Sequence, residues 1–445
     1  MRNRRSPILL LAALIVATIP ATSAQVAPPS LPGQTQLRGL PSERLGTLPV
    51  PRNAIDNAAA NALSTARRLE LERVVRMHRD VIDTDRSGAP VVRSEIVAID
   101  PSAEALQRAR ASGFTVASER GPDELGLRIV VLRAREGMRT RAALRRLQRL
   151  DPDGEYDYNH LYLGSATPAA NAPAASAPAA AASPAAATAG NSSNSSARIG
   201  LIDSGVDGAH PALAGVQIQS WGCDGERHPD RHGTAVASLL AGDTGLGSPA
   251  PATLLAADIY CEQPTGGAAT GLAEAMAWLA RERAGVINIS LVGPHNRLLE
   301  RVVQAMAGRG HVLVAAVGND GPAAPPLYPA AYPEVIGVTA VDERLRALPE
   351  AGRGPQVDFA APGMELRVAV PDGGWDLARG TSFAAPLVAR LAAQVVPVAG
   401  AGRGDAVRIA LAAQASDLGA RGRDNTYGHG LVGAAPGLAS ADPSR

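Results

Sequence analysis

Apolar and polar positions change period several times along the chain, and the changes mark out two kinds of folded unit. From Ser94 the runs are short. Ser94–Ile99 reads as a strand, Pro101–Ala111 as a helix with Pro101 and Glu104 near its start, and Phe114–Ala117 and Leu127–Leu132 as strands. Thr140–Leu150 reads as a second helix and Tyr156–Leu163 as a last strand. The order β-α-β-β-α-β predicts a small α+β unit of the ferredoxin-like kind. Ahead of it, Asn53–Asp80 carries a ragged apolar stripe (Leu63, Leu69, Val74, Val75) that suits a helix.

Beyond Arg198 the pattern becomes a longer alternation. Strands are expected at Ile199–Ile202, Leu254–Ile259, Val286–Ile289, Val312–Ala316 and Val335–Val341. Between and after them, helices are expected at Thr234–Leu240, Leu272–Arg283, Arg297–Gly308 and Thr381–Val396. Such alternation predicts an α/β domain whose parallel sheet is covered by helices on both faces. Thr167–Ser196, nearly all Ala, Pro, Ser and Asn, has too little apolar surface to offset its chain entropy and reads as a linker. The expected divisions are a signal peptide at 1–24, a Pro-rich and helical region at 25–93, the βαββαβ unit at 94–165, the linker at 166–197 and the α/β domain at 198–445.

Composition narrows the function. With 445 residues, 46% hydrophobic and 19% charged, the chain has the balance of a globular protein of two to three domains. The net charge is +1, aromatics make up 3%, and Arg is interleaved with Asp and Glu, so there is no basic, aromatic-bearing surface for nucleic acid. Arg2, Arg4 and Arg5 precede an apolar run from Ile8 to Ile19, then Pro20 and Ala21-Thr22-Ser23-Ala24. That is a secretory signal with cleavage expected after Ala24. The run is too short for a membrane anchor, so the product is expected outside the cytoplasm, in a periplasm or beyond the cell. In an exported chain the two cysteines, Cys223 and Cys261, are expected to form a disulfide, with two free thiols as the alternative. Asp83-Thr84-Asp85-Arg86-Ser87-Gly88 begins like a calcium loop, but Ser94 stands where the bidentate Glu belongs, and a turn between strands explains it better. No cofactor is expected; a structural calcium is left open, with no ligands identifiable for it.

The α/β domain also holds the parts of a serine nucleophile system. A serine hydroxyl needs an adjacent base, and the base needs a carboxylate to set its tautomer. Asp203 closes the apolar strand Ile199-Gly200-Leu201-Ile202, His232 opens a helix in His232-Gly233-Thr234-Ala235-Val236-Ala237, and Ser382 opens another in Gly380-Thr381-Ser382-Phe383-Ala384-Ala385-Pro386. Singly, each has a structural reading as a strand-end turn or a helix cap. Together with Asp203-Ser204-Gly205-Val206 and the downstream His210-Pro211, the three blocks resemble those of the subtilisin-like proteases in order and spacing across residues 198–440.

The resemblance implies further roles. Asn319, in Ala315-Ala316-Val317-Gly318-Asn319-Asp320-Gly321, is the implied oxyanion donor, with the Ser382 N–H as its partner. Asn288-Ile289-Ser290-Leu291-Val292-Gly293 resembles the family strand that pairs with an extended substrate; Val292 stands where a glycine is usual. Leu327, ahead of Tyr328-Pro329, falls near the floor of the main specificity pocket, and the pair Val292 and Leu327 implies small or modest apolar substrate residues. The βαββαβ unit resembles the family's propeptide, implying an intramolecular inhibitor whose last strand enters the groove and is cut near Gly164–Thr167 or in the linker. Partners are then protein or peptide substrates and the chain's own propeptide.

Other readings fare worse. An esterase or lipase needs Gly-x-Ser-x-Gly and the order Ser, acid, His, whereas Ala384 fills the fifth position and the order is Asp, His, Ser. His228 and His232 lie four apart without the Glu of a zinc motif. An inactive, protease-like binding module would be expected to lose a triad or oxyanion residue, and none is missing.

Overall fold

The computed structural model describes residues 52–121, 124–164, 197–242, 251, 253–400 and 402–433. The signal and Pro-rich stretches, most of the linker and the cut-site positions 165–167 lie outside these residues.

The described chain opens with helix α1 (Arg52–Met77), whose C-terminal end hands the chain to strand β1 (Ile82–Thr84). Leu69, expected on the buried stripe, is 51% exposed. The inward face instead carries Arg67 and Leu71, one helical turn apart, and Leu69 lies two residues round from each, on the opposite side. A turn at Asp85–Gly88 leads into β2 (Pro90–Ile99). Asp85 Oδ1 accepts from the N–H groups of Ser87 and Ala89, each at 2.8 Å. Burial opposes the charge of Asp85, but its bonds to His160, Ser87 and Ala89 outweigh that and hold its pKa down at about 2.

Helix α2 (Ala103–Ala111), strands β3 (Thr115–Arg120) and β4 (Ile129–Arg133), helix α3 (Thr140–Leu150) and strand β5 (Glu155–His160) complete this unit. Its strands are antiparallel in the order β3-β4-β2-β5, with β1 also paired to β2. The period-2 alternation of β2 gives the sheet two apolar faces. Ile96 and Ala98 pack under α2 and α3 with Leu106, Leu144 and Leu147. Val97 and Ile99 point the other way, into the core of the following domain.

Tyr156–Leu163 does not run as one strand. After β5, Leu161 makes a single bridge to Ala268, and β6 (Leu163–Gly164) pairs with the other domain. The exit is driven by Tyr162: its N–H donates to Gly267 O at 2.8 Å and its side chain is fully buried there.

The second domain is built from β7 (Arg198–Asp203), β8 (Gln217–Trp221), α4 (Arg231–Ala241), β9 (Thr253–Asp258), α5 (Ala269–Arg281), β10 (Val286–Ile289), β11 (Leu291–Val292), α6 (Arg297–Gly308), β12 (Val312–Ala316), β13 (Val335–Val341), β14 (Phe359–Pro362), β15 (Leu366–Val370), β16 (Gly374–Ala378), α7 (Thr381–Val395) and α8 (Arg403–Ala412). Among the described residues, seven strands form one parallel sheet in the order β14-β13-β12-β10-β7-β9-β8. Its central strands are apolar on both sides, as a sheet covered twice requires. Leu201, Val314 and Val338 pack with α4 and α7, whereas Ile202, Ile287 and Leu313 pack with α5 and α6. The fold is α/β. Strands β8 and β14 and the hairpin β15–β16 were not legible in the sequence, because β8 and the hairpin are half exposed and carry polar residues, and β14, at the other edge of the sheet, ends in Pro362.

The N-terminal unit docks at the starts of α5 and α6. Asp157 Oδ2 accepts from Arg297 N–H at 2.8 Å and Asn159 Oδ1 from Thr270 N–H at 3.2 Å. Both meet orphan donors at a helix N-terminus, where a carboxylate or amide oxygen is favoured. Arg120 pairs with Glu274 at 2.7 Å and Glu124 with Arg281 at 3.2 Å on the rim of the contact.

Candidate active site

Two helix starts and one strand end converge at the carboxyl edge of the sheet. Asp203, 2% exposed, is the last residue of β7. Its Oδ1 accepts from its neighbour's backbone, Ser204 N–H, at 2.7 Å and lies 2.7 Å from His232 Nδ1. A carboxylate so placed sets the Nδ1–H tautomer and leaves Nε2 as the basic nitrogen. Nε2 is buried and has no hydrogen bond among the described residues. Burial works against a charged His232, yet the Asp203 carboxylate, through its field and its hydrogen bond, outweighs this and raises the imidazole's pKa. Gly233 is required by close approach: a Cβ there would lie 2.1 Å from Ser204 O.

Ser382 sits in the first turn of α7, and the His232 ring lies 5.4 Å, centroid to centroid, from the adjacent Phe383. The helix start is tied down twice. Thr381 donates its N–H to Asn319 Oδ1 at 3.1 Å, and Thr381 Oγ1 accepts from Gly318 N–H at 3.2 Å. A further contact at this turn depends on Pro386, which lies inside α7. Proline has no N–H for the carbonyl four residues back, which is that of Ser382. Ser290 Oγ donates to this carbonyl instead, at 3.0 Å, while accepting from Asn288 Nδ2 at 2.9 Å. Ser382 Oγ in turn lies 3.4 Å from Ser290 O. Asn288 and Pro386 were quoted in the sequence blocks without these roles.

Asn319, 6% exposed, is held by that bond to Thr381, and Gly380 lies beside its amide: a Cβ on Gly380 would come within 2.9 Å of Nδ2. The Nδ2 donor and the N-terminus of α7 thus lie at one place.

Within the segment Ser290–Gly293, strand β11 is occupied. Leu291 pairs antiparallel with Gly164 and Val292 with Leu163. Val292 and Leu327 both pack toward Gly318, with Leu327 Cδ1 2.6 Å from where a Cβ on Gly318 would be. Val292, Gly293 and Leu327 line a cavity of about 270 Å³ together with Leu161 and Leu163 of the strand and Arg67 and Leu71 of α1. Arg67 Nε lies 3.6 Å from Asp320 Oδ1, the residue after Asn319. Cys223 and Cys261 are joined as a disulfide with Cα atoms 5.2 Å apart, linking the loop ahead of His232 to the segment after β9.

Residues 194–430 match the Subtilase family. The chain belongs to that family. This subtilase is 30% identical to a subtilisin of Bacillus pumilus over 250 residues, 54% of this chain and 90% of that protein. It is 33% identical to thermitase of Thermoactinomyces vulgaris over 210 residues, 45% of this chain and 75% of that one. With a thermophilic serine proteinase of a Bacillus strain it shares 35% over 209 residues, and it spans about half (52%) of that protein's length. In fold the subtilase resembles fervidolysin from Fervidobacterium pennivorans, described as a keratinolytic enzyme related to subtilisin, with a TM-score of 0.64 at 21% identity over 78% of this chain and 61% of that one. The domain is that of a subtilisin-like serine endopeptidase. Among the described residues no helix is long and apolar enough to cross a membrane.

Proposed function

We propose that the chain is an exported serine endopeptidase made as a self-processing zymogen, with Asp203, His232 and Ser382 as its triad. The observation that carries the reading is the seating of Leu163–Gly164 on Leu291–Val292 beside that cluster. An extended peptide bound by strand addition is what an endopeptidase groove accepts. Continuing the antiparallel register by one residue aligns the next residue of a bound chain with Ser290, whose carbonyl is 3.4 Å from Ser382 Oγ.

In this reading His232 Nε2 takes the Ser382 proton as Oγ attacks the substrate carbonyl carbon. The oxyanion is met by Asn319 Nδ2 and the Ser382 N–H at the positive end of α7. His232 then gives the proton to the leaving amine as the C–N bond breaks. Water, deprotonated by the same nitrogen, cleaves the acyl-enzyme and restores the serine. No cofactor enters any step. The N-terminal unit inhibits by occupying the groove, and the cut falls near Gly164–Thr167 or in the linker, where intramolecular presentation gives a high effective concentration. Export rests on the signal stretch ending at Ala24, and the Cys223–Cys261 disulfide accords with an oxidising compartment.

Fluorophosphonate labelling combined with N-terminal sequencing tests this. The expected result is label on Ser382 and a catalytic fragment that begins beyond Gly164. A chain that takes no label has the character of an inactive binding module. A fully active chain still intact from Gln25 overturns the zymogen reading alone.

A further inference from the structure

The loop into α4 holds a carboxylate outside the signature blocks. Asp230 is the N-cap of α4, and its Oδ1 accepts from the N–H of His232 at 2.8 Å. The same oxygen lies 2.6 Å from Ser204 Oγ. Ser204 Oγ also accepts from Gly233 N–H at 3.0 Å and lies 3.2 Å from Asp203 Oδ1. A hydroxyl has one proton to give, and the shorter, better contact takes it. Ser204 therefore donates to Asp230. Asp203 Oδ1 keeps the Ser204 N–H and His232 Nδ1, both at 2.7 Å.

We propose that Asp230 is a positioning residue for peptide hydrolysis, acting through Ser204 and the backbone of His232 to hold the Asp203–His232 pair in its working geometry. The proposal rests on the reading of His232 as the general base. One acidic oxygen joins the two chain segments that carry the pair: the end of β7 and the start of α4. Ser204 is the link between them, because it is covalently next to Asp203 and hydrogen-bonded to Gly233, next to His232.

Asp230 also adds negative charge beside the imidazole. Burial disfavours the charged ring, and Asp203 and then Asp230 favour it. The other groups around the ring do not duplicate this role. Phe383 on α7 is uncharged. Asp258, on β9, interacts with Asp203, and Tyr260, just after it, with Asp203, Asp230 and Asp258. Arg231 is paired with Asp376 on β16.

The test compares Asp230→Asn, Asp230→Ala and Ser204→Ala with the parent full-length chain, after maturation and with active sites counted by fluorophosphonate titration. Asparagine caps a helix as well as aspartate does, so Asp230→Asn keeps the acceptor and loses only the charge. Its kcat on a fluorogenic peptide is expected to stay within about threefold of the parent, while the acid limb of kcat/KM moves to lower pH. Asp230→Ala loses the tie as well, and its kcat is expected to fall about 10- to 100-fold with KM nearly unchanged. Ser204→Ala is expected to lose kcat similarly, and the double variant to be no worse than Asp230→Ala, because both act through one link. An Asp230→Ala enzyme with the parent's kcat and pH profile overturns the proposal. Should that variant not fold, a Ser204→Ala enzyme with the parent's kcat and pH profile overturns it instead. A parent chain that takes no fluorophosphonate sinks the base assignment itself, which is a different failure.

Discussion

The ring of Tyr162 lies so close to Gly293 that a Cβ on that glycine would come within 2.6 Å of it. The same side chain is fully buried, and its hydroxyl donates to Pro294 O at 2.8 Å. Tyr162 is thus the anchor that draws the chain out of β5 and seats Leu163–Gly164 on Leu291–Val292.

Removing the anchor is expected to unseat the strand. Tyr162→Ala forfeits a buried aromatic, a loss of about 3–5 kcal/mol at a site that does not collapse, and Gly293→Ala forces the ring away. In the full chain carrying Ser382→Ala, hydrogen exchange at Leu163 and Gly164 is expected to accelerate in both variants. Unchanged protection would show that the seating does not depend on Tyr162.

Ser382→Ala itself is expected to abolish peptide hydrolysis and leave the proprotein as one chain. The loss in kcat is expected to be of the order of 10⁶, the size known for removing this serine from a subtilisin. Turnover near that of the parent, with no contaminating protease, refutes the triad.

Asn319→Leu is expected to lower kcat about 10²- to 10³-fold with KM nearly unchanged, as for the side-chain donor of a subtilisin, because in the proposed role its amide serves the transition state and not the ground state. A change confined to KM would assign Asn319 to substrate binding. Since Asn319 Oδ1 also holds Thr381 N–H at 3.1 Å, the variant's melting temperature is to be read alongside.

The pH profile follows from the raised pKa of His232. A general base works only when deprotonated, so with His232 in the proposed role kcat/KM is expected to rise with pH and to reach half its plateau above the ordinary histidine value of 6.5. The same shift bears on stability: a group whose pKa is raised by folding stabilises the fold most below 6.5, and that contribution fades as pH climbs through the folded value. A half-maximum below 6.5 contradicts the influence of Asp203.

Most of the α/β sheet was legible because its central strands are apolar on both faces and its helices have a clear period. Arg297–Gly308 was placed to the residue, and Val312–Ala316 and Val335–Val341 likewise. The edges were not, since an edge strand such as Gln217–Trp221 is half exposed and lacks the apolar run that identifies a central one. Leu69 misled for a related reason: a ragged stripe does not say which side of a helix meets a partner, and here Arg67 and Leu71 do.

By itself the sequence determined which residues are candidates for the chemistry, because each block is local: Asp203 ends a strand, and His232 and Ser382 start helices within a few contiguous residues. Tertiary structure alone decided how those blocks are braced. Asp230 meets Ser204 across 26 positions, Ser290 meets the Ser382 carbonyl across 92, and Tyr162 reaches Pro294 across 132. No periodicity records such pairs. They form only when the sheet brings distant strand ends to one edge, where burial leaves each polar group to find its partner among whatever the fold has placed beside it.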